Sequence, residues 1–203
     1  MIEKIPVKIS PIIKQYIWGV EEWILSDLHE EVEHTPILVK IINAKDHLSV
    51  QVHPGNEYAL EREHSIGKTE MWYVLDCEPD AYLYYGLKHK ISAEEFIKRI
   101  KNDSILEVCQ KIKVKKGDVF YIPAGMLHAI GKGITVAEVQ QNSNITYRVY
   151  DYHRQDETHN FRPLHIKQAE DVTGFMPPLQ GHRPMGQRVS DNGNYKTLLV
   201  RCP

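Results

Sequence analysis

A succession of short strand-like segments, each cut off by proline, glycine, asparagine or aspartate, constrains this chain more than any other feature. They run over residues 37–43, 48–53, 70–75, 81–86, 118–122, 135–140 and 146–152. Valine, isoleucine and tyrosine dominate them, side chains that suit a pleated, half-buried surface. Strands so short, spaced by turn signals, predict a mainly β protein, a sandwich or barrel with a few short helices. One helix is announced at Ser92, which with Glu95 forms a capping box ahead of an apolar face of Phe96, Ile97 and Ile100. Ile105, Leu106 and Val108 suggest a second, and 56–63 and 164–172 read as two more. From 175 to 194 the chain is rich in proline, glycine and polar residues, as a linker is. A strand-like stretch at 195–201 follows; it is expected to pair with the main sheet or a partner chain, or to begin a further domain.

The 203 residues suit one large domain, and 42% hydrophobic with 26% charged residues is an ordinary globular mix that can bury a core without staples. A net charge of -2 gives no electrostatic reason for a nucleic-acid or anionic-membrane partner. The beginning lacks an apolar signal core, and no apolar run approaches the ~20 residues of a membrane span, so a soluble cytoplasmic protein is expected. Cys77, Cys109 and Cys202 stand far apart, without the spacing of a zinc knuckle or a disulfide framework. Free thiols fit a reducing compartment. Eleven histidines invite a search for metal ligands.

Three segments reward that search. In Ser49-Val50-Gln51-Val52-His53-Pro54, strand alternation turns Ser49, Gln51 and His53 to one face and the valines to the other. Taken alone, that polar face is equally a solvent-exposed one. The stretch from Gly117 to His128 has the spacing G-x5-P-x-G-x2-H, in which a Pro-x-Gly turn presents His128 on the next strand. This spacing resembles the second motif of cupins, a superfamily of small β-sandwiches; the plain alternative is a hairpin with an incidental histidine. Between the two, Glu70 opens a strand of large apolar residues, where a surface ion pair is the bland reading. Gln51, His53, Glu70 and His128 together make a mixed N/O donor set that suits zinc or another divalent first-row metal, and leaves positions for water or substrate.

The blocks "YIWG", "LSVQVHP", "GKTEMWYVLD", "YIPAGMLHAI" and "AEVQQNSNITYRVYDY" occur in an order that resembles the mannose-6-phosphate isomerase family in its short bacterial form, over most of residues 10 to 170. The resemblance implies a zinc-dependent cupin-type sandwich or jelly-roll barrel that interconverts mannose 6-phosphate and fructose 6-phosphate. It places the metal ligands on Gln51, His53, Glu70 and His128, and the catalytic arginine on Arg148. Trp18, Lys40, Ser49, Lys68 and Glu138 match other pocket positions of the family. It implies a metal-binding domain over 1–174, with a helical segment near 92–110, and then a linker and terminal strand over 175–203. The family's second β domain is expected to be missing or reduced, and the stretch between Trp18 and Gln51 is short for the family. The partner implied is a small sugar phosphate, with a homodimer left open.

Such an isomerase needs a Lewis acid at the carbonyl, an acid/base group at the carbon-bound proton, and fixed positive charge for a phosphate. Glu138 is a candidate for the proton, and Arg148 and Lys68 for catalysis and the phosphate. Lys40 lies inside an apolar strand, where a lysine needs a partner. Two other readings stay open: a non-catalytic metal- or sugar-binding cupin, and a metal-dependent cupin enzyme, such as an oxygenase, acting on another substrate.

Overall fold

The computed structural model describes residues 10–26, 35–155 and 159–178, and the backbone of 189–191 and 196–198. In chain order the elements are β1 (Ile12–Tyr16), β2 (Gly19–Leu25), β3 (Ile37–Ala44), β4 (Val50–Val52), α1 (Asn56–Glu63), β5 (Glu70–Cys77), β6 (Tyr82–Leu87), α2 (Ala93–Lys101), α3 (Ile105–Val108), β7 (Cys109–Lys113), β8 (Val119–Ile122), β9 (His128–Ala129), β10 (Ile134–Gln141), β11 (Tyr147–Tyr150), α4 (Ile166–Val172), β12 (Val189–Asp191) and β13 (Lys196–Leu198). Six strands form one sheet in the order β1-β2-β3-β10-β5-β8, and five form a second in the order β11-β4-β9-β6-β7. All of these pairings are antiparallel. This is the mainly β, two-sheet sandwich expected from the strand spacing.

Two apolar clusters hold it, and their placement sets the site. One lies between the sheets and joins Ile42, Trp72, Val74, Phe120 and Val136 of the first sheet to Leu83 and Tyr85 of the second. The other lies on the outer face of the second sheet, where Val50, Val52, Tyr84 and Val149 pack against Phe96 and Ile100 of α2 and Ala169 of α4. The second sheet is therefore buried on both faces. Each fully buried side chain of this size contributes roughly 1.5–3 kcal/mol against exposure. Helix α2 starts as its capping box requires: the Ser92 hydroxyl accepts from the Glu95 N–H at 3.1 Å. Its buried residues, Phe96 and Ile100, are four apart and share the face laid on the sheet.

The expected tail strand is visible at Lys196–Leu198, where it pairs with Val189–Asp191 in a two-stranded sheet of its own. Among the described residues it is paired with that strand and with neither main sheet. Residues 179–188, 192–195 and 199–203, with most of the expected linker, Tyr195 and Cys202, lie outside the described residues, as do 1–9.

Candidate metal centre and pocket

Strand β4 is anchored from behind by Val50 and Val52, so its alternate residues Ser49, Gln51 and His53 turn into the sandwich. What reads as a solvent face in the sequence is an interior one: Ser49 and His53 are buried and Gln51 is half-buried. β9 lies beside β4 with His128 opposite Gln51. The turn before it depends on Gly125, whose φ of +84° disfavours any side chain and whose added Cβ would stand 2.9 Å from the Val172 carbonyl. Its N–H donates to the His53 carbonyl, and its own carbonyl accepts from the Gly174 N–H, both at 2.9 Å. One glycine thus ties the end of β4 to the turn that presents His128. Glu70 enters from the facing sheet as the first inward residue of β5, buried to 2% exposure.

His53, Glu70 and His128 meet there, with one potential ligand atom from each all within 4.8 Å of one another. The His53 Nδ1 donates to the Ile145 carbonyl and the His128 Nδ1 to the Met126 carbonyl, each at 2.8 Å. A carbonyl only accepts, so each Nδ1 carries a proton, and in the neutral ring Nε2 presents a bare lone pair. Both lone pairs face one carboxylate: His53 Nε2 stands 3.4 Å from Glu70 Oε2, and His128 Nε2 3.2 Å from Oε1. His53 Nε2, His128 Nε2 and Glu70 Oε1 have no hydrogen-bond partner, and Glu70 Oε2 meets the Lys68 ammonium at 3.0 Å. Acceptors converging on acceptors inside a core are costly unless a cation sits among them. Two neutral imidazoles and a carboxylate fit a first-row divalent ion such as zinc.

The electrostatics favour the ligand forms. Burial pulls His53 down to about 3, with the Lys68 ammonium adding to the effect, so the ring is neutral near pH 7. Burial alone would raise Glu70, but Lys68, 3.0 Å from its Oε2, holds it well below the usual carboxylate range.

In front of the triad opens a cavity of about 430 Å³. One transverse row of the first sheet builds its wall: Trp23, Lys40, Glu138 and Trp72 are paired neighbours across β2, β3, β10 and β5. The Trp72 indole donates to Glu138 Oε2 at 2.8 Å, and Lys40 lies 3.4 Å from Oε1. Lys40 is also 3.6 Å from Glu21 Oε2, which accepts from the Trp23 indole at 2.7 Å. The partners that Lys40 needs inside its apolar strand are thus Glu21 and Glu138. Burial, and then the charge of Glu70, push Glu138 up, against the pull of Lys40 and Lys68. From the second sheet Arg148 enters opposite Gln51 on β11. Its Nη1 donates to the Pro163 carbonyl at 2.9 Å, while its buried Nε has no partner.

Seven of the residues singled out in the sequence line this one cavity: Trp18, Lys40, Ser49, Gln51, Lys68, Glu138 and Arg148. Three, His53, Glu70 and His128, form the triad behind it. Gln51 stands beside His128 with its Oε1 accepting from the Ser49 hydroxyl at 3.3 Å. The sequence reading missed Glu21, Trp23 and Arg162, which also line the cavity. The i, i+2 spacing of Glu21 and Trp23 was the available signal; Arg162 lies in a segment without periodicity.

No family model matches the chain. It is 51% identical over 168 residues to the mannose-6-phosphate isomerase of Streptococcus mutans, covering 83% of this chain and 52% of that protein. It is 42% identical over 173 residues to mannose-6-phosphate isomerase ManA of Bacillus subtilis, covering 85% of this chain and 54% of that protein. The chain spans about half the length of these curated relatives. The crystal structure of the mannose 6-phosphate isomerase from Bacillus subtilis superposes with a TM-score of 0.76 at 31% identity, over 82% of this chain and 68% of that one. With sequence and sandwich both shared to that extent, the chain belongs to the mannose-6-phosphate isomerase family.

Proposed function

We propose that this chain carries the active site of a metal-dependent aldose–ketose isomerase, which interconverts mannose 6-phosphate and fructose 6-phosphate through an enediol. The observation that carries the reading is the convergence of two buried histidine Nε2 atoms on one carboxylate, behind a cavity lined by five cationic side chains and two carboxylates. Such a cavity suits a polar, anionic ligand. His53, Glu70, His128 and Gln51 would hold the ion, zinc by the chemistry of the donors. Bound there, it supplies Lewis acidity toward the sugar's oxygens.

The remaining steps fall to the chain's own residues. Glu138 Oε2 is fixed by the Trp72 indole, and its buried Oε1 is engaged by the Lys40 ammonium, at 3.4 Å. Oε1 is the atom that takes the proton from C2 of the aldose and returns it at C1, while the O2 hydroxyl proton passes to O1. A carboxyl whose pKa is raised by burial is better matched to that exchange near neutrality than an exposed one. Lys68 and Arg148 add fixed positive charge where negative charge develops on the oxygens. Trp18 and Trp72 wall the site with apolar surface.

The test is a coupled assay with mannose 6-phosphate in heavy water, on metal-loaded protein. Interconversion with fructose 6-phosphate, with solvent hydrogen appearing at C1 or C2 and loss of activity on chelation, is the expected result. If no hexose phosphate is interconverted while metal is bound and the fold intact, the isomerase reading fails and a binding function replaces it.

A further inference from the structure

The isomerase reading leaves open which residue holds the phosphate, and most of the cavity's cations are already committed. Lys68 is paired with Glu70, and Lys40 with Glu21 and Glu138. Lys14 sits 3.5 Å above the Trp23 ring. Arg148 and Arg162 are arranged differently. After β11 a bridge pairs Gln155 with Phe161, and the strap that follows from Phe161 to His165 has Arg162 on the cavity wall. Arg162 is held by Asp151 in a two-point fork, Nε to Oδ2 at 2.7 Å and Nη2 to Oδ1 at 2.6 Å. Asp151 is 6% exposed and is braced in turn by Arg154, whose Nη2 donates to Oδ1 at 2.6 Å. The fork uses one edge of the guanidinium, and no described residue accepts from the Nη1 of Arg162.

The same strap steadies Arg148, through the Pro163 carbonyl and through His165 Nδ1, which accepts from the Arg148 N–H at 3.0 Å. After burial, Arg162 is the largest influence lowering Arg148, so the two guanidiniums repel one another. A fixed pair of guanidiniums with donors left over is the arrangement that takes a phosphate oxyanion.

We propose that Arg162, oriented by the buried Asp151, is the phosphate-binding residue of this cavity, with Arg148 beside it. The proposal rests on the sugar-phosphate reading, and names the residue that selects phosphorylated over free sugars. Asp151 is then a positioning residue: it fixes the fork without touching the ligand.

Calorimetric binding of inorganic phosphate to the metal-loaded chain tests it without requiring turnover. The full chain binds phosphate, and Arg162→Gln weakens it about 10- to 100-fold, the loss expected for a charge-assisted contact. Arg162→Lys falls between the two, and Lys14→Met stays within about twofold of the parent, well short of the tenfold loss of one charged contact. Asp151→Asn weakens phosphate at unchanged metal content, whereas a merely structural role would lower both. Melting curves confine each comparison to folded protein, and Arg162→Lys keeps the test usable if Arg162→Gln does not fold. Phosphate affinity that survives in both Arg162 variants, or falls with Lys14→Met instead, overturns the proposal, as does a parent chain that binds no phosphate. If phosphate binding is lost as described but no sugar phosphate is isomerised, the proposal stands and the isomerase reading falls.

Discussion

The placement of two protons governs the site. Because His53 and His128 each spend Nδ1–H on a backbone carbonyl, Nε2 is the atom each ring has left to offer, and Glu70 stands between them. A pH dependence follows for chelator-treated protein. The His53 ring, ordinarily near 6.5, is held at about 3 in the fold. Between those values the unfolded chain binds a proton that the native chain refuses, so stability is full above about pH 6.5 and declines as pH falls through that window. Glu70, also held low, loses its contribution only further down, below the usual carboxylate range. The urea midpoint of metal-free protein should therefore fall between pH 7 and pH 5, by a free energy on the order of 2 kcal/mol. His53→Gln should flatten the dependence. A parent midpoint that is level across that interval would contradict the buried, neutral ring.

At the scale of elements, the strands that announced themselves are those in which valine, isoleucine, leucine and tyrosine crowd a short segment between turn residues. β3, expected over 37–43, spans Ile37–Ala44, and β10, expected over 135–140, spans Ile134–Gln141. β2 was hidden because its inward positions include Gly19 and Glu21 as well as Trp23, so no apolar alternation shows. β1 is an edge strand with Ile13 and Tyr16 exposed, and β7 has a single buried residue, Cys109, followed by glutamine, two lysines and a half-buried Ile112. The candidate ligands were legible as short motifs, His128 through the Pro-x-Gly turn before it and His53 and Glu70 through their strands; Arg162 was not, since only the fold brings it to the cavity. The turn makes its own prediction. Gly125→Ala forces a Cβ into a left-handed position against the Val172 carbonyl, and should cost about 2 kcal/mol or more. It should also lower metal content, since the same residue joins His53 to the His128 turn. Urea denaturation with elemental analysis reads both effects, and a loss of stability with metal content unchanged would separate the turn from the site.

For the molecule as a whole, the two apolar clusters exist without the metal, and the sandwich should too. Chelation should leave the β-type far-ultraviolet spectrum in place and lower the melting temperature. With free metal at 100 to 1,000 times its dissociation constant, binding adds about 3–4 kcal/mol, which for a chain of this size is roughly 5–15 °C. Collapse of the spectrum on chelation would show instead that the metal organises the fold. The double burial of the second sheet has a further consequence for how such a protein can change. Along β4, odd-numbered residues face the chemistry and even-numbered ones face the helices. Reactivity and cohesion are written on alternate letters of one strand, so substitutions at 49, 51 and 53 can redirect the site while Val50 and Val52 keep the strand where it is.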